Sequence, residues 1–154
     1  MIKLLKKAKM FTLETKIVNT LMLSGKKSTG EKILLKFSKK LQKLNNKHFK
    51  KLVQIAIINS TSTFKLNEQI VKKGKRKAVR HIPSFITTDS LRIMISLKLI
   101  KRSATKNKNS NQFYESFVNE ILMASSLKGQ SVDKKTELQK QILANKRYLA
   151  NFRW

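Results

Sequence analysis

The sequence predicts a mainly α-helical single domain of about six helices, with one β-hairpin between helices three and four. Apolar residues recur at the i, i+3, i+4 spacing of an amphipathic helix in six segments. Glycine and proline are scarce, at four and one copies, which favours helices joined by short turns. The chain has 154 residues and no internal repeat, so we expect one domain over residues 11–154, after a basic arm at residues 1–10.

The first three helices are marked by turn and capping signals. Helix one is predicted from about Phe11 to Leu23, with Gly25 just past its end. Helix two is predicted to start at a capping box formed by Ser28 and Glu31 and to break at Asn45-Asn46. Helix three follows with the clearest helical spacing. The predicted inward stripes are Leu13, Ile17 and Leu21 in helix one; Ile33, Leu34, Phe37, Leu41 and Leu44 in helix two; and Phe49, Leu52, Val53, Ala56 and Ile57 in helix three.

The pattern then changes to one typical of strands. Residues 60–66 (STSTFKL) are rich in hydroxyl and β-branched residues, and the run Ala78–Ile82 ends before the single proline, Pro83. Between them lies KKGKRK, residues 72–77. We therefore predict a β-hairpin at about residues 62–82 with a basic tip. Because an isolated two-stranded ribbon is marginal in water, it needs helices beneath it or RNA against it.

Helix four is predicted from about Ser90 to Lys101, with Thr88 or Asp89 as its cap. Its apolar residues surround nearly the whole helix, which indicates a buried central helix. One predicted stripe consists of Leu91, Met94, Ile95 and Leu99, and the other of Ile93, Leu97 and Ile100.

The last two helices follow a polar loop at residues 105–111. Helix five is predicted from about Gln112 to Lys128, with Gly129 just past its end, and helix six starts from Ser131 or Asp133. The predicted inward residues are Phe113, Phe117, Ile121 and Leu122 in helix five, and Leu138, Ile142 and Leu149 in helix six.

The charge balance restricts the function. There are 35 Lys and Arg residues against 8 Asp and Glu residues, a formal net charge of +27 at pH 7, which favours a polyanionic partner, with nucleic acid first. The chain has no cysteine, and His48 and His81 lie far apart, so we expect no metal and no cofactor. No catalytic constellation or glycine-rich nucleotide loop is present, so we expect no enzyme. The most apolar window, residues 91–100, is about half a membrane span, so we expect no membrane partner.

Several cation clusters are candidate phosphate contacts. Lys26-Lys27 lies where helix one ends and helix two begins, so backbone N–H groups and a positive dipole end accompany the ammonium groups; an ordinary helix–helix turn is the alternative. The predicted hairpin tip is the second cluster. Lys134-Lys135 falls in the first turn of helix six, where the dipole disfavours cations unless an anion is bound. Trp154 either stacks on a base beside Arg153 or folds back on the core.

Three motifs carry a resemblance to one family. They are GKKSTGEKI at residues 25–33, KGxxVxKKxE at residues 128–137 and a terminal FRW at residues 152–154. A proline at the end of the predicted second strand, Pro83, fits the same order of elements. The chain resembles the small ribosomal subunit protein seven family, the universal protein of the head of the small subunit, over most of its length.

The resemblance implies a structural function. Members bind the 3′ major domain of small-subunit rRNA and nucleate head assembly. Their β-hairpin reaches the exit-site tRNA and the mRNA channel, and they neighbour other head and platform proteins. By position, Lys26-Lys27, Lys134-Lys135 and Arg153 match basic residues of the family.

The chain also departs from the family pattern. Lys73-Gly74 replaces a glycine pair within a longer, more basic hairpin tip, Thr87-Thr88 replaces an arginine-proline before helix four, and only Arg92 lies near a family arginine pair. Divergence and heavy use of Lys, Asn and Ile suggest an organelle-encoded version, from a mitochondrial ribosome, with the plastid as the alternative.

Two other functions remain open at this point. One is a basic DNA-packaging or nucleoid protein, and the other is a membrane-active helical protein. For the ribosomal reading, the candidate rRNA-contacting residues are Lys6, Lys7, Lys9, Lys26, Lys27, Lys72, Lys73, Lys75, Arg76, Lys77, Arg80, Arg92, Lys134, Lys135, Arg147, Arg153 and Trp154.

Overall fold

A computed structural model describes residues 13–44, 49–73, 76–106 and 112–151. Six α-helices and a two-stranded antiparallel hairpin account for most of these residues, which confirms the predicted class and the place of the hairpin. The elements are α1 (13–21), α2 (Lys27–Leu44), α3 (Phe49–Ser60), β1 (Phe64–Lys73), β2 (Arg76–Phe85), α4 (Asp89–Lys106), α5 (Phe113–Ser125), α6 (Gln130–Ala144) and a 3₁₀ helix (Lys146–Asn151).

Helix α5 is the central helix of the domain, because α2, α3, α4 and α6 all pack against it. Three phenylalanine rings join the helices at its middle: Phe37 of α2 lies edge-on to Phe49 at 5.2 Å and to Phe117 at 5.0 Å between ring centroids. Edge-to-face pairs of this kind add to the stabilisation from burial alone. The predicted stripe of α3 is buried throughout, as are Phe37 and Leu41 of α2.

The prediction that helix four is the buried centre is wrong. Helix α4 packs against α3, α5 and α6 with one face, where Leu97 and Ile100 are buried, while Leu91 and Met94 are 36% and 37% exposed. The helix also continues past its predicted end to Lys106. Helix α5 takes the central place because its buried residues extend around more of its surface and meet four helices.

The start of α2 differs from the predicted capping box. The helix begins at Lys27, so Ser28 lies inside its first turn rather than at the cap. The Lys26 carbonyl accepts the Gly30 N–H at 3.4 Å, which places Lys26 at the cap position. Helix α1 ends at residue 21 rather than at Leu23, so Gly25, with a φ of 76°, lies in the turn before α2 and not directly after helix one as predicted.

The connection between α5 and α6 also differs from the prediction. Leu127, with a φ of 59°, takes the left-handed position after α5, and the Lys128 N–H donates to the Met123 carbonyl at 2.8 Å. Gly129 is therefore not the residue that ends helix five. With a φ of 108°, it is the N-cap of α6, which begins at Gln130 rather than at Ser131 or Asp133.

The hairpin spans residues 64–85 rather than about 62–82, and its two strands extend further toward the tip than predicted. The register runs from the pair Phe64–Phe85 to the pair Lys73–Arg76, and residues 74 and 75 lie outside the described part of the chain. Pro83 does not leave the second strand; it pairs with Leu66 inside it. A proline is tolerated there because each strand of a two-stranded sheet has one edge that needs no N–H donor.

Helical segments support the base of the hairpin, as a marginal ribbon requires. The strands pack against α6 and the 3₁₀ helix. Arg92 of α4 donates from Nε to the Ile86 carbonyl at 2.9 Å and lies 5.2 Å above the Phe85 ring. The Ile86 N–H donates to the Thr63 carbonyl at 2.9 Å. The base is therefore fixed to α4, while the basic end projects from it.

Candidate nucleic-acid interface

The corner between α1 and α2 exposes two lysines beside a helix N-terminus. Gly30 is buried there, and a Cβ added to it would lie 3.3 Å from the Val18 carbonyl oxygen, so the two helices approach closely. Lys26 and Lys27 remain exposed, and the first turn of α2 contains no acidic residue. The positive end of the helix dipole and the two ammonium groups therefore face the same solvent region.

The corner has little internal charge compensation. Lys27 is 3.9 Å from the Glu31 carboxylate one turn along the same helix, and both side chains are more than half exposed. A solvent-exposed ion pair of this kind contributes about 0–1 kcal/mol and is readily displaced. A pocket of about 260 Å³ adjoins the corner; Lys26 and Thr29 line its polar part, and the rest of its lining is mainly apolar. The geometry is open to a phosphate group.

The strand register places cations opposite cations at the far end of the hairpin. Lys72 pairs with Lys77, and Lys73 pairs with Arg76. Like charges directly opposite each other in a sheet are destabilising by up to about 1 kcal/mol per pair. Lys72, Lys77 and Arg80 are exposed. The free protein therefore carries an unfavourable arrangement that a bound polyanion would relieve.

Most of the predicted basic tip at residues 72–77 is therefore strand. This correction has a functional consequence. On strands, neighbouring side chains alternate between the two faces of the ribbon. Lys72 and Lys77 share one face, and Arg80, three residues along β2 from Lys77, lies on the other. Cations are presented on both faces rather than on a single flexible tip.

Because α6 begins at Gln130, Lys134 and Lys135 lie in its second turn rather than in the predicted first turn, and both have protein partners instead of an exposed phosphate contact. Lys134 Nζ donates to Ser103 Oγ at 2.9 Å, and Lys135 Nζ donates to the Asn59 carbonyl at 2.7 Å. Both lysines are half-buried. They attach α6 to α4 and α3, respectively, although each ammonium group has two further N–H donors.

Burial affects the charge of Lys134. Desolvation lowers the pKa of this ammonium group, and the nearby positive charge of Lys106 lowers it further, while the Glu120 carboxylate acts in the opposite direction. The hydrogen bond from Lys134 to Ser103 compensates for part of the lost solvation of this ammonium group. Its placement is explained by helix packing without a bound anion.

The predicted contacts Arg92 and Arg147 differ in their surroundings. Arg92 is three-quarters buried and also donates from Nη1 to Asp89 at 3.3 Å, in addition to its contacts at the hairpin base. Arg147 is exposed and lies 4.9 Å from the centroid of the Tyr148 ring. Arg147 is therefore accessible to an external partner, whereas Arg92 holds two elements together.

Several predicted residues cannot be placed. Lys6, Lys7, Lys9, Lys75, Arg153 and Trp154 lie outside the described residues. For Lys73 and Arg76, the structure describes the backbone pairing in the hairpin.

One group of cations was missed by the sequence analysis. Four lysines on α2 line a groove of about 420 Å³ together with Tyr114, the second residue of α5. The lysines are Lys36, Lys39, Lys40 and Lys43. Their i, i+3, i+4, i+7 spacing places them on one side of the helix and was a signal available in the sequence.

Among the residues that the structure describes, no group of acidic or histidine side chains is arranged to hold a metal ion. In the same part of the chain, no helix is both long and apolar enough to span a membrane.

The fold and the distribution of charge define a basic helical domain with a cationic β-ribbon, the class of structural nucleic-acid-binding proteins. Residues 4–146 match the family described as ribosomal protein S7p/S5e. The chain therefore belongs to this ribosomal protein family, which confirms the resemblance seen in its motifs.

Individual relatives cover nearly the whole chain. Small ribosomal subunit protein uS7 of Mycoplasma mobile is 31% identical over 140 residues, which cover 91% of this chain and 85% of that protein. The uS7m protein of Reclinomonas americana is 27% identical over 139 residues, which cover 90% of this chain and 83% of that protein. The uS7c protein of Euglena gracilis is also 27% identical, with coverages of 89% and 84%.

Proposed function

We propose that this chain is a structural constituent of the small ribosomal subunit that binds the 3′ major domain of the rRNA and nucleates assembly of the head, without catalysing a reaction. The observation that carries the proposal is the pairing of the exposed Lys72 with the exposed Lys77, because it disfavours the free hairpin and favours a polyanion against it. Because the chain belongs to a ribosomal protein family, we infer that this polyanion is rRNA.

The proposed rRNA contacts form three groups. The first is the helix corner at Lys26 and Lys27, and the second is the hairpin with its exposed cations. The third comprises Arg147 and the terminal segments. For Lys134 and Lys135 we propose a structural role, because their ammonium groups already donate to protein acceptors.

Finer assignments extend the same proposal. The hairpin reaches toward exit-site tRNA and the mRNA channel, and the helical body contacts neighbouring head and platform proteins. We assign the chain to a mitochondrial ribosome, with the plastid as the alternative; its Lys-, Asn- and Ile-rich composition supports an organelle. An epitope-tagged chain is expected to sediment with mitochondrial small subunits. Sedimentation with plastid subunits would replace that assignment.

The binding proposal is tested by comparing three ligands at matched salt. They are the isolated 3′ major domain RNA, another rRNA domain of similar length, and duplex DNA. We expect the 3′ domain to bind most tightly, with affinity falling steeply with salt because about 0.7–0.9 counterions are released per neutralised phosphate. Preference for duplex DNA would overturn the proposal and favour a nucleoid protein.

A further inference from the structure

The four lysines of the α2 groove surround an aromatic ring. Lys36 Nζ lies 5.9 Å and Lys40 Nζ 5.5 Å from the centroid of the Tyr114 ring. Cations within about 6 Å of a ring centroid are attracted by its π electrons. One half-buried ring therefore attracts both of these ammonium groups.

Little negative charge is available to this groove from the protein itself. Lys40 forms an ion pair with Glu115, the residue after Tyr114. Lys36, Lys39 and Lys43 are exposed and form no salt bridge within the described part of the chain. The groove thus has one internal carboxylate for four cations.

The spacing of the exposed lysines suits an extended anion. Lys36, Lys39 and Lys43 are three and four residues apart, so each is about one helical turn, or roughly 5.4 Å, from the next. A single small anion could contact one or two of them. A chain of phosphates running along α2 could contact all three.

The groove is also separate from the hairpin in the packing of the domain. Helix α2 packs against α3 and α5, whereas the hairpin packs against α6 and the 3₁₀ helix. Contacts at the two places would therefore hold different parts of an RNA, or RNA segments that fold together.

We propose that the groove formed by Lys36, Lys39, Lys40, Lys43 and Tyr114 is a further RNA-binding site, which takes the sugar–phosphate backbone of an rRNA strand. Tyr114 acts as a positioning residue that keeps Lys36 and Lys40 over the groove. Lys36, Lys39 and Lys43 contact successive phosphates. This inference rests on the proposed rRNA-binding function and adds a surface to it.

RNA is favoured over an acidic protein by the chemistry of the groove. Its lysines are exposed and evenly spaced on one rigid helix, which matches the regular spacing of phosphates and requires no particular side-chain sequence in the partner. Lysine contacts phosphate as a point charge from many directions. The groove therefore needs only a regular polyanion.

The test uses two triple variants with the same net charge. The site variant is Lys36→Gln, Lys39→Gln and Lys43→Gln, and it leaves Lys40 in its ion pair. The control variant is Lys51→Gln, Lys98→Gln and Lys140→Gln, with exposed lysines on three different helices. Each variant lowers the formal charge by three, from +27 to +24. Circular dichroism melting verifies that both remain folded.

For the site variant we expect the affinity for 3′ major domain RNA to fall roughly tenfold or more, and the log–log salt slope to become shallower by about 2 to 3, since three phosphate contacts are lost. For the control variant we expect a slope change below about 1. Tyr114→Phe should keep full affinity because the ring remains, while Tyr114→Leu should weaken binding severalfold.

A second measurement uses the unmodified protein. Lysine acetylation read by mass spectrometry should show Lys36, Lys39 and Lys43 protected when the 3′ domain RNA is bound, and Lys51 and Lys140 unprotected. Equal losses for the two triple variants, or equal acetylation with and without RNA, would overturn the inference. If the groove proposal failed in this way but the unmodified protein still bound 3′ domain RNA in preference to the other ligands, the proposed rRNA-binding function would remain supported.

Discussion

The Glu120 carboxylate accepts a hydrogen bond from the Ser131 backbone N–H at 2.8 Å and so caps the first turn of α6 from the middle of α5. Glu120 is 1% exposed and Ser131 is fully buried. Gly129, the N-cap residue of α6, has no side chain to do this. A negative group at a helix N-terminus is also favoured by the helix dipole.

Replacing Glu120 should therefore weaken the packing of α6 against α5 and lower the stability of the domain. We expect Glu120→Ala to lower the free energy of unfolding by about 1–3 kcal/mol, because the buried Ser131 N–H loses its acceptor, and Glu120→Gln to cost less because an oxygen acceptor remains. Urea unfolding followed by circular dichroism measures both. Glu137→Ala, an exposed position on α6, is the control. A loss for Glu120→Ala no larger than for this control would contradict the capping role.

Two glycines with positive φ should respond differently to alanine. At Gly129, an added Cβ would lie 3.0 Å from Met123 Cβ and 3.2 Å from Glu120 Oε1, whereas nothing lies within 4 Å of one added at Gly25. We expect Gly25→Ala to cost about 1 kcal/mol for the left-handed backbone alone. Gly129→Ala should cost about 3 kcal/mol, since strain and overpacking add. If Gly25→Ala and Gly129→Ala lowered the free energy of unfolding equally in thermal or urea unfolding, the α5–α6 connection would have shifted to accommodate the added Cβ, contrary to this prediction.

The phenylalanine cluster should dominate the stability of the core. We expect Phe37→Ala to destabilise the domain by about 3–5 kcal/mol, because it empties a fully buried position and removes two ring contacts. Leu35→Ala on the same helix, where the side chain is 59% exposed, should cost below about 0.5 kcal/mol. Urea denaturation measures the free energy of unfolding of both variants. A loss for Phe37→Ala as small as that for Leu35→Ala would show that the phenylalanine cluster does not dominate the stability of the core.

Charge reversal in the hairpin should change stability and RNA binding in opposite directions. Lys77→Glu converts the like-charged pair with Lys72 into an attractive one, so the strands should be stabilised by about 0.5 kcal/mol. The same change should weaken binding to 3′ domain RNA. Amide hydrogen exchange of the strands and a salt titration measure the two effects.

Lys140→Glu makes the same charge change on α6 and serves as the control for the hairpin variant. It should leave exchange in the hairpin unchanged and reduce RNA affinity less. Unaltered RNA binding by Lys77→Glu would remove the hairpin from the proposed interface.

The lowered pKa of Lys134 predicts a pH dependence of stability. Between its folded-state pKa and the ordinary value of 10.5, the unfolded chain binds more protons than the folded protein, so this group adds stability as pH rises through that window. The stability of the unmodified protein relative to Lys134→Met should therefore increase as pH approaches 10.5. Urea unfolding at several pH values measures the difference. A flat Lys134 series would contradict the burial of its charge.

Local sequence patterns were sufficient for much of the fold. The stripe Phe49, Leu52, Val53, Ala56 and Ile57 is buried as its spacing predicts. The change to alternating residues also located the hairpin between helices three and four. These features are predictable because they depend on helix and strand periodicity, which neighbouring residues set.

The sequence did not predict in the same way which helix faces are buried and where the α5–α6 connection begins and ends. Helix α4 has two apolar stripes, and only its contacts with α3, α5 and α6 decide that Leu97 and Ile100 are buried while Leu91 and Met94 stay partly exposed. Gly129 lies between α5 and α6, so its sequence position was compatible both with ending helix five and with capping the start of helix six. Its φ of 108° and the acceptor from Glu120 place it at the start of α6.

The sequence by itself determined the helical class, the excess of positive charge and the family motifs, because composition and short-range spacing are properties of the chain alone. Tertiary structure decided which cations are available to a ligand. It gave Lys134 and Lys135 acceptors on distant helices, set Lys72 opposite Lys77, and brought Tyr114 to the lysines of α2. Each of these depends on contacts between residues far apart in sequence, which only the packing of the elements and the strand register establish.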